Sequence, residues 1–588
     1  MTTDNSNHSD QKWAPTTRET LVILMLAFIS FFVALNSCMI TTSLPAIIAG
    51  LDFTSVQGFW VGTSYLLSCA VSMQFISETS EIFGRAICLM FSLVSFTVGT
   101  VSCCLAQTIT PMLVGRSLQG VGGAGIMSLS SLVLTDMVPL LYRPKWYGII
   151  LGTWAVGNCI GPLLGGVIAQ STTWRWVFYA VCPLCALSLV ITPLLLTLKP
   201  PKASVKERLK NFDWLGSALL ALSAVLFLTA ISWGGVQFAW DTAATSVPLC
   251  LGSTGLIWTC VYEKKFAKNP LLRCNLFQGR SQLAIYTCGL IQGLVLYTQL
   301  YYIPIYFMSV KEYSPIQTGI ATLPIMVISV PVSVITGALV TKTNGFRPSI
   351  WSGWTFLTAG CGLTLVFDMD TSKAVCVVTL VLIGLGHGAI LNAQNSASQA
   401  MCKLGDESFA AGMYAFLRTF GYALGVGIGG SAFQNAMSLK LKHEGLPVHI
   451  AQDSEAFLSQ LGQLPDNSFK RHLLTAYVAG FRGVSSLLVA FSGLALVLSL
   501  LIKGVSMTKT IPRGRAVERG TIVERLSHRV SQHQSTDSSI KAWQVGDSGT
   551  GTPSTPQSYQ HDSLQDYCLS DGDLSVRRSG RPQWHLSN

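Results

Sequence analysis

Two arginines stand where a charge is costly. Arg116 and Arg418 lie inside long apolar runs, and a cation at the centre of such a run in a bilayer costs about 2.5–3.5 kcal/mol on insertion scales. Each must therefore face a cavity or a partner. The alternative for either is a structural arginine bonded to carbonyls or bridging helices. Arg116 opens the segment Arg116-Ser-Leu-Gln119-Gly120, which puts an amide one helical turn from its guanidinium. His387, in Gly384-Leu-Gly-His387-Gly, is the side chain type most easily moved across physiological pH. Asn36 sits in the first apolar run; it can hydrogen-bond a solute or an arginine but carries no proton. Asn36, Arg116, Gln119, His387 and Arg418 are thus candidates for an ion-coupling or solute pathway.

Other polar groups fall into three patterns. Gln292, Tyr297, Gln299 and Tyr301 share one apolar run and could line a binding cavity, although tyrosines near a run's end also form the interfacial belt. Glu81, Gly84 and Arg85 occupy a tight loop, and Asp136 with Arg143 beyond it offers a second ion pair at the same side. Gly157, Gly161 and Gly165 recur at intervals of four with Pro162 and Gly166 between and beside them. Such glycines share a helix face and let a neighbouring backbone come close, while Pro162 removes a donor and bends the helix. No GxxxxGK[ST], HExxH or GxSxG occurs, so ATP-driven pumping and the corresponding hydrolases are not expected. No cofactor is expected. The 16 cysteines are scattered without metal-ligand spacing, so no metal is expected either.

The elements that must position these groups are membrane spans. Half of the 588 residues are hydrophobic and 11% are charged, against roughly a quarter charged in soluble domains. The apolar residues come in blocks of about twenty, enough to cross a hydrocarbon core of about 30 Å. Fourteen candidate spans run near 21–45, 58–77, 87–107, 111–135, 147–170, 175–197, 213–232, 246–263, 282–308, 316–340, 350–367, 375–397, 409–435 and 476–502. Gly234, Gly235 and Trp240 interrupt the pattern between the seventh and eighth; a twelve-span alternative lays that pair on the membrane surface. Arg85, Arg143, Lys145, the clusters Lys199–Lys210 and Lys264–Arg280, Lys342, Arg347 and Lys403 fall in loops of one side, against Arg175, Lys311 and Lys373 in short loops of the other. The positive-inside rule then places both termini in the cytoplasm. This topology accounts for the net charge of +11 better than nucleic-acid binding does, and no nucleic-acid partner is expected. The polar start is not a secretory signal. Residues 504–588, rich in Ser, Thr, Gly and Gln, read as a disordered cytoplasmic tail.

The chain resembles a major facilitator superfamily transporter of the fourteen-spanner drug:proton antiporter type common in fungi. Gly157-Asn-Cys-Ile-Gly161-Pro162-Leu-Leu-Gly165-Gly166 is similar to that family's antiporter motif, and Arg116-Ser-Leu-Gln119-Gly120 to its RxxQG motif. Ser80-Glu81-Ile82-Phe83-Gly84-Arg85 resembles its D-x-x-G-R loop, and Trp174-Arg175-Trp176-Val177-Phe178-Tyr179 the segment before its sixth span. The resemblance covers residues 20–503 and implies an all-α polytopic fold. That fold comprises a segment 1–20, a six-helix bundle 21–197, a linker with two extra spans 198–281, a second six-helix bundle 282–503 and the tail. It implies a proton-coupling role for Arg116 and a cytoplasmic gate at Glu81. Leu35-Asn36-Ser-Cys-Met-Ile40 resembles the family's L-D-x-T-I run with Asn36 in place of the usual carboxylate, which removes a proton carrier. The implied function is export of a small organic compound, such as a toxin, drug or secondary metabolite, in exchange for protons, at the plasma membrane. Rival expectations are vacuolar basic amino acid or siderophore transport on the same fold, and a non-transporting receptor. No enzyme activity is implied.

Overall fold

The computed structural model describes residues 14–505 and 507, apart from 52, 197–204, 211, 236, 269, 404, 453, 462–463 and 466. Most of the expected 1–20 segment and almost all of the tail lie outside the described residues. The rest is helical. The long elements, numbered here α1 to α14, are Thr17–Gly50, Ser55–Phe83, Arg85–Leu105, Ile109–Met137, Arg143–Ser171, Trp176–Leu195, Trp214–Trp233, Ala243–Lys265, Arg280–Ser309, Pro315–Thr343, Arg347–Thr364, Lys373–Met401, Glu407–His443 and Ser468–Ser499.

Local chemistry sets several boundaries. Thr16 and Glu19 form a capping box at the start of α1, as Thr54 with Gln57 do for α2 and Ser314 with Gln317 for α10. Each box satisfies two of the orphan donors of a first turn. The chain turns from α2 into α3 on the single residue Gly84, whose φ of 97° lies in the region that favours glycine.

Twelve of the helices are long and apolar enough to span a membrane, and these include both α7 and α8, the pair that the sequence left most open. The eleventh and thirteenth expected spans exist as helices but fall short on that measure. α11, 18 residues long, is too polar, with Arg347, Pro348 and several Ser, Thr and Gly. α13 carries six glycines and Arg418 and is buried along most of its length. A helix sheltered by other helices is free to be polar, because only lipid-facing positions must be apolar. The fourteen-helix expectation therefore stands at twelve apolar spans plus these two.

Helices α1–α6 pack mainly on one another, and α9–α14 do the same. The two sets meet where α5 lies along α10 and where α13 lies against α2 and α4. α7 and α8 pair with each other; α7 leans on α13 and α2, while α8 turns Leu251, Ile257 and Trp258 outward. This is the arrangement of two bundles with an added helix pair that the resemblance implies. The end that carries Arg85 and Arg143, expected to be cytoplasmic, is called the inner end below.

Candidate functional site

Arg116 is the centre of the first bundle's polar network and is 1% exposed. Its Nε donates to Val61 O at 3.0 Å, and its Nη1 reaches Gln119 Oε1 at 2.6 Å and Asn36 Oδ1 at 3.3 Å. Gln119 is itself fixed by donating to Thr100 Oγ1 at 2.8 Å. The guanidinium lies over the Tyr65 ring, 4.5 Å from its centroid. Asn36, Arg116 and Gln119 thus form one connected group, with an amide where the resemblance would supply a carboxylate.

Arg116 also borders a cavity. The wall includes Ser37, Cys38, Thr41, Tyr65, Tyr297 and Tyr301, with Ile40, Leu44, Leu66, Leu300 and Val426 as its apolar part. These residues come from the later half of α1, the first halves of α2 and α4, and the later halves of α9 and α13. Because successive helices run in opposite directions, all of them lie toward the outer end. Of the four residues expected to line a cavity, Tyr297 and Tyr301 do so. Gln292 and Gln299 do not line it: they turn to His387, whose Nδ1 meets Gln292 Nε2 at 3.3 Å and whose Nε2 meets Gln299 Oε1 at 2.8 Å. Side chains on opposite faces of α9 serve the two purposes, which a shared apolar run does not reveal.

Arg418 is 4% exposed. Its guanidinium stands 5.9 Å from the Tyr414 ring and 5.8 Å from the Tyr422 ring. Its Nε and Nη1, and the Tyr422 hydroxyl, have no hydrogen-bond partner among the described residues. Tyr422 in turn stacks on Tyr297 at 4.0 Å, so the rings connect Arg418 to the cavity wall.

The inner end is laced together. Arg85 pairs with Glu81 and, through Nε at 3.1 Å, with Asp136. Ser408 of α13 donates to the other Asp136 oxygen at 2.9 Å, so the Arg85–Asp136 pair ties the first bundle to the second. The pair expected between Asp136 and Arg143 is not formed. Arg143 folds back to donate to Thr135 O and Val138 O at 2.8 Å each, and reaches Gln399 Oε1 at 2.9 Å. The open carbonyls at a helix C-terminus attract such a cation, which leaves Asp136 to Arg85. Asn392 adds a bridge to Pro144 O at 2.8 Å.

The α5 glycines meet α1. A Cβ on Gly157, Gly161 or Gly165 would lie 2.4 Å from Phe31 O, 2.8 Å from Cys38 Cβ and 2.2 Å from Met39 O respectively, whereas one on Gly166 would meet Pro315 O of α10 at 2.7 Å. Helix α5 runs unbroken through Pro162, whose carbonyl accepts from Thr42 Oγ1 at 2.8 Å. A second glycine seam was missed: Gly421 and Gly425 face the carbonyls of Leu290 and Leu294 at 2.1 and 2.3 Å, with Gly429 one further turn along against Tyr302. The spacing of four is the same as in α5 and was readable. Tyr414 and Tyr422, four residues either side of Arg418 on α13, carry a readable spacing of the same kind, whereas the placing of Tyr65 over Arg116 has no such signal.

A family profile described as the Major Facilitator Superfamily matches residues 26–426. The chain belongs to this family. It is a multi-pass membrane transporter and not an enzyme. Among its relatives, the MFS transporter L2 of Phoma sp. (strain ATCC 20986 / MF5453) is 34% identical over 501 residues, covering 84% of each chain. The MFS-type efflux pump LUC4 of Fusarium sp is 31% identical, over 83% of this chain and 88% of its own. Among solved structures, a bacterial homologue of the human lysosomal transporter Spinster, inward-facing and unoccupied, aligns with a TM-score of 0.57 at 17% identity, over 83% of this chain and 98% of its own. The proton:xylose symporter XylE aligns at 0.53 and 13% identity, over 83% and 96%. These structural likenesses concern the major facilitator fold alone.

Proposed function

We propose that the chain exports small, fairly apolar organic compounds, such as a secondary metabolite or toxin, across the plasma membrane in exchange for protons, working by alternating access through fourteen spans. The observation that carries this reading is the pairing of an outer-end cavity between the two bundles with an inner end tied across them by Asp136–Ser408, Arg143–Gln399 and Asn392–Pro144. That arrangement suits the outward-facing stage of a cycle around a site near the midplane. The relatives named efflux pumps, LUC4 and FUS6 of Gibberella moniliformis, support the export direction. For proton exchange the support is the resemblance to antiporters, together with the carboxylates Glu263 and Glu407 buried at the inner ends of helices. Asn36 contributes none.

The test is expression in a host stripped of its own exporters, with resistance and intracellular accumulation measured across a panel of toxins and fungal metabolites. Lowered accumulation of at least one compound, abolished by an uncoupler, is expected. Unchanged accumulation across the panel, with the protein at the cell surface, would overturn the reading.

A further inference from the structure

Two guanidinium groups are buried at the bundle interface with no carboxylate on either. Among the described residues the ion pairs of buried arginines are confined to Arg85 at the inner end; neither Arg116 nor Arg418 has an acidic partner. An uncompensated buried cation is costly. Amides and rings offset part of that cost for Arg116, through Asn36, Gln119 and Tyr65, and cation–π contacts do so for Arg418. Both retain unused donors. Nη2 of Arg116, on the cavity wall, makes no hydrogen bond among the described residues, and Arg418 leaves Nε and Nη1 unpartnered. A buried guanidinium with free N–H groups is shaped for an oxyanion.

Resting on the export reading above, we infer that the transported compound is an organic anion: a carboxylate-type head on a flat, apolar body. The head binds the free face of Arg116. The body lies along Tyr65, Tyr297 and Tyr301 and the aliphatic wall of Ile40, Leu44, Leu66 and Leu300. Arg418, behind the stacked Tyr297–Tyr422 pair, supplies a second positive charge that the head approaches when those rings shift. Asn36 fits this assignment. An aspartate there would occupy the guanidinium that the substrate needs, whereas the amide orients Arg116 without neutralising it.

The experiment compares three probes of one skeleton: 1-pyrenebutyrate, its methyl ester and 1-pyrenebutylamine. Export is followed from cells carrying the full chain, and thermal stabilisation is measured on the same chain purified in nanodiscs. The acid is expected to be exported and to raise the melting temperature, and the ester and amine to do neither. Arg418→Gln should cut export of the acid by about tenfold or more, the scale of one hydrogen bond to a charged group. Arg418→Lys, which keeps the positive charge, guards against an Arg418→Gln variant that fails to fold: it should recover part of the acid's export, and loss as complete as in Arg418→Gln, at the parent's melting temperature, would overturn the second-charge role of Arg418. Export of the ester or amine in preference to the acid would overturn the anion assignment and leave the export reading standing. Stabilisation by the acid alone, with none of the three exported, would support the anion site while counting against export. No export and no stabilisation by the acid would overturn the assignment itself.

Discussion

His387 has both ring nitrogens engaged, one by Gln292 on an earlier turn of α9 and the other by Gln299, and Gln299 also donates to Cys361 Sγ on α11 at 3.3 Å. The imidazole therefore ties α12 to α9, and Gln299 extends the network to α11. A ring held this way acts as a strut between amides, and no charged group touches it among the described residues. His387→Asn should lower the melting temperature, by the roughly 1–3 kcal/mol expected for orphaning buried amides. The pH profile of transport should keep the parent's shape. A displaced profile, measured as initial uptake into inside-out vesicles from pH 5.5 to 8, would instead make His387 a proton carrier. The RxxQG spacing puts Arg116 and Gln119 one turn apart, and Asn36 stands in the sequence as an amide able to bond a solute or an arginine. The sequence said nothing of Tyr65, since the pairing of a ring on α2 with a cation on α4 depends on how two distant segments are docked.

The glycines of α5 are graded in clearance. On Gly165 a Cβ would come within 2.2 Å of a main-chain oxygen of α1, and on Gly152 the nearest atom is 3.5 Å away. Carbonyl oxygens of a packed helix cannot yield as a side-chain tip can, so the clearance decides the outcome. Gly165→Ala is expected to abolish transport and reduce the amount of folded protein, while Gly152→Ala should transport within about twofold of the parent, the ±0.5 kcal/mol of an unstrained substitution. Equal behaviour of the two in a flux assay, at equal expression, would show that the seam is not tight. The glycine spacing of α5 was legible because periodicity is written in the chain itself. Its partner was not, since nothing in the spacing separates α1 from lipid. For the same reason Gln292 and Gln299 were grouped with Tyr297 and Tyr301: a shared run fixes which residues are buried, and the helix's rotation decides which cavity they see. The hydropathy that revealed α7 and α8 correspondingly understates α13, whose interior position lets it keep Arg418 and six glycines.

Taken as a whole molecule, the two bundles touch closely at the inner end along α5 and α10, where a Cβ built on Gly148 would lie 3.5 Å from Val334 Cα. Alternating access requires those surfaces to part. The double variant Gly148→Cys, Val334→Cys, made without the native cysteines, should cross-link under mild oxidation, stop transport, and recover when reduced. Cross-linking with undiminished flux would mean that this contact does not open during the cycle. The absence of a carboxylate beside Arg116 has an electrical consequence. A pathway whose fixed charges are arginines delivers its cargo with the negative charge intact, so every molecule expelled crosses the membrane field as a current. That charge is worth about 2.3 kcal/mol per 100 mV, and an inside-negative cell pushes it outward. A potassium diffusion potential set by valinomycin, negative on the side of origin and with no pH difference, should therefore speed efflux of the acid probe from proteoliposomes by several-fold. Indifference to that potential would mean that each cycle is electrically silent. With the sign as expected, the cell's own voltage drives export alongside the proton gradient, and a colony would lose part of its export capacity when depolarised even at constant external pH.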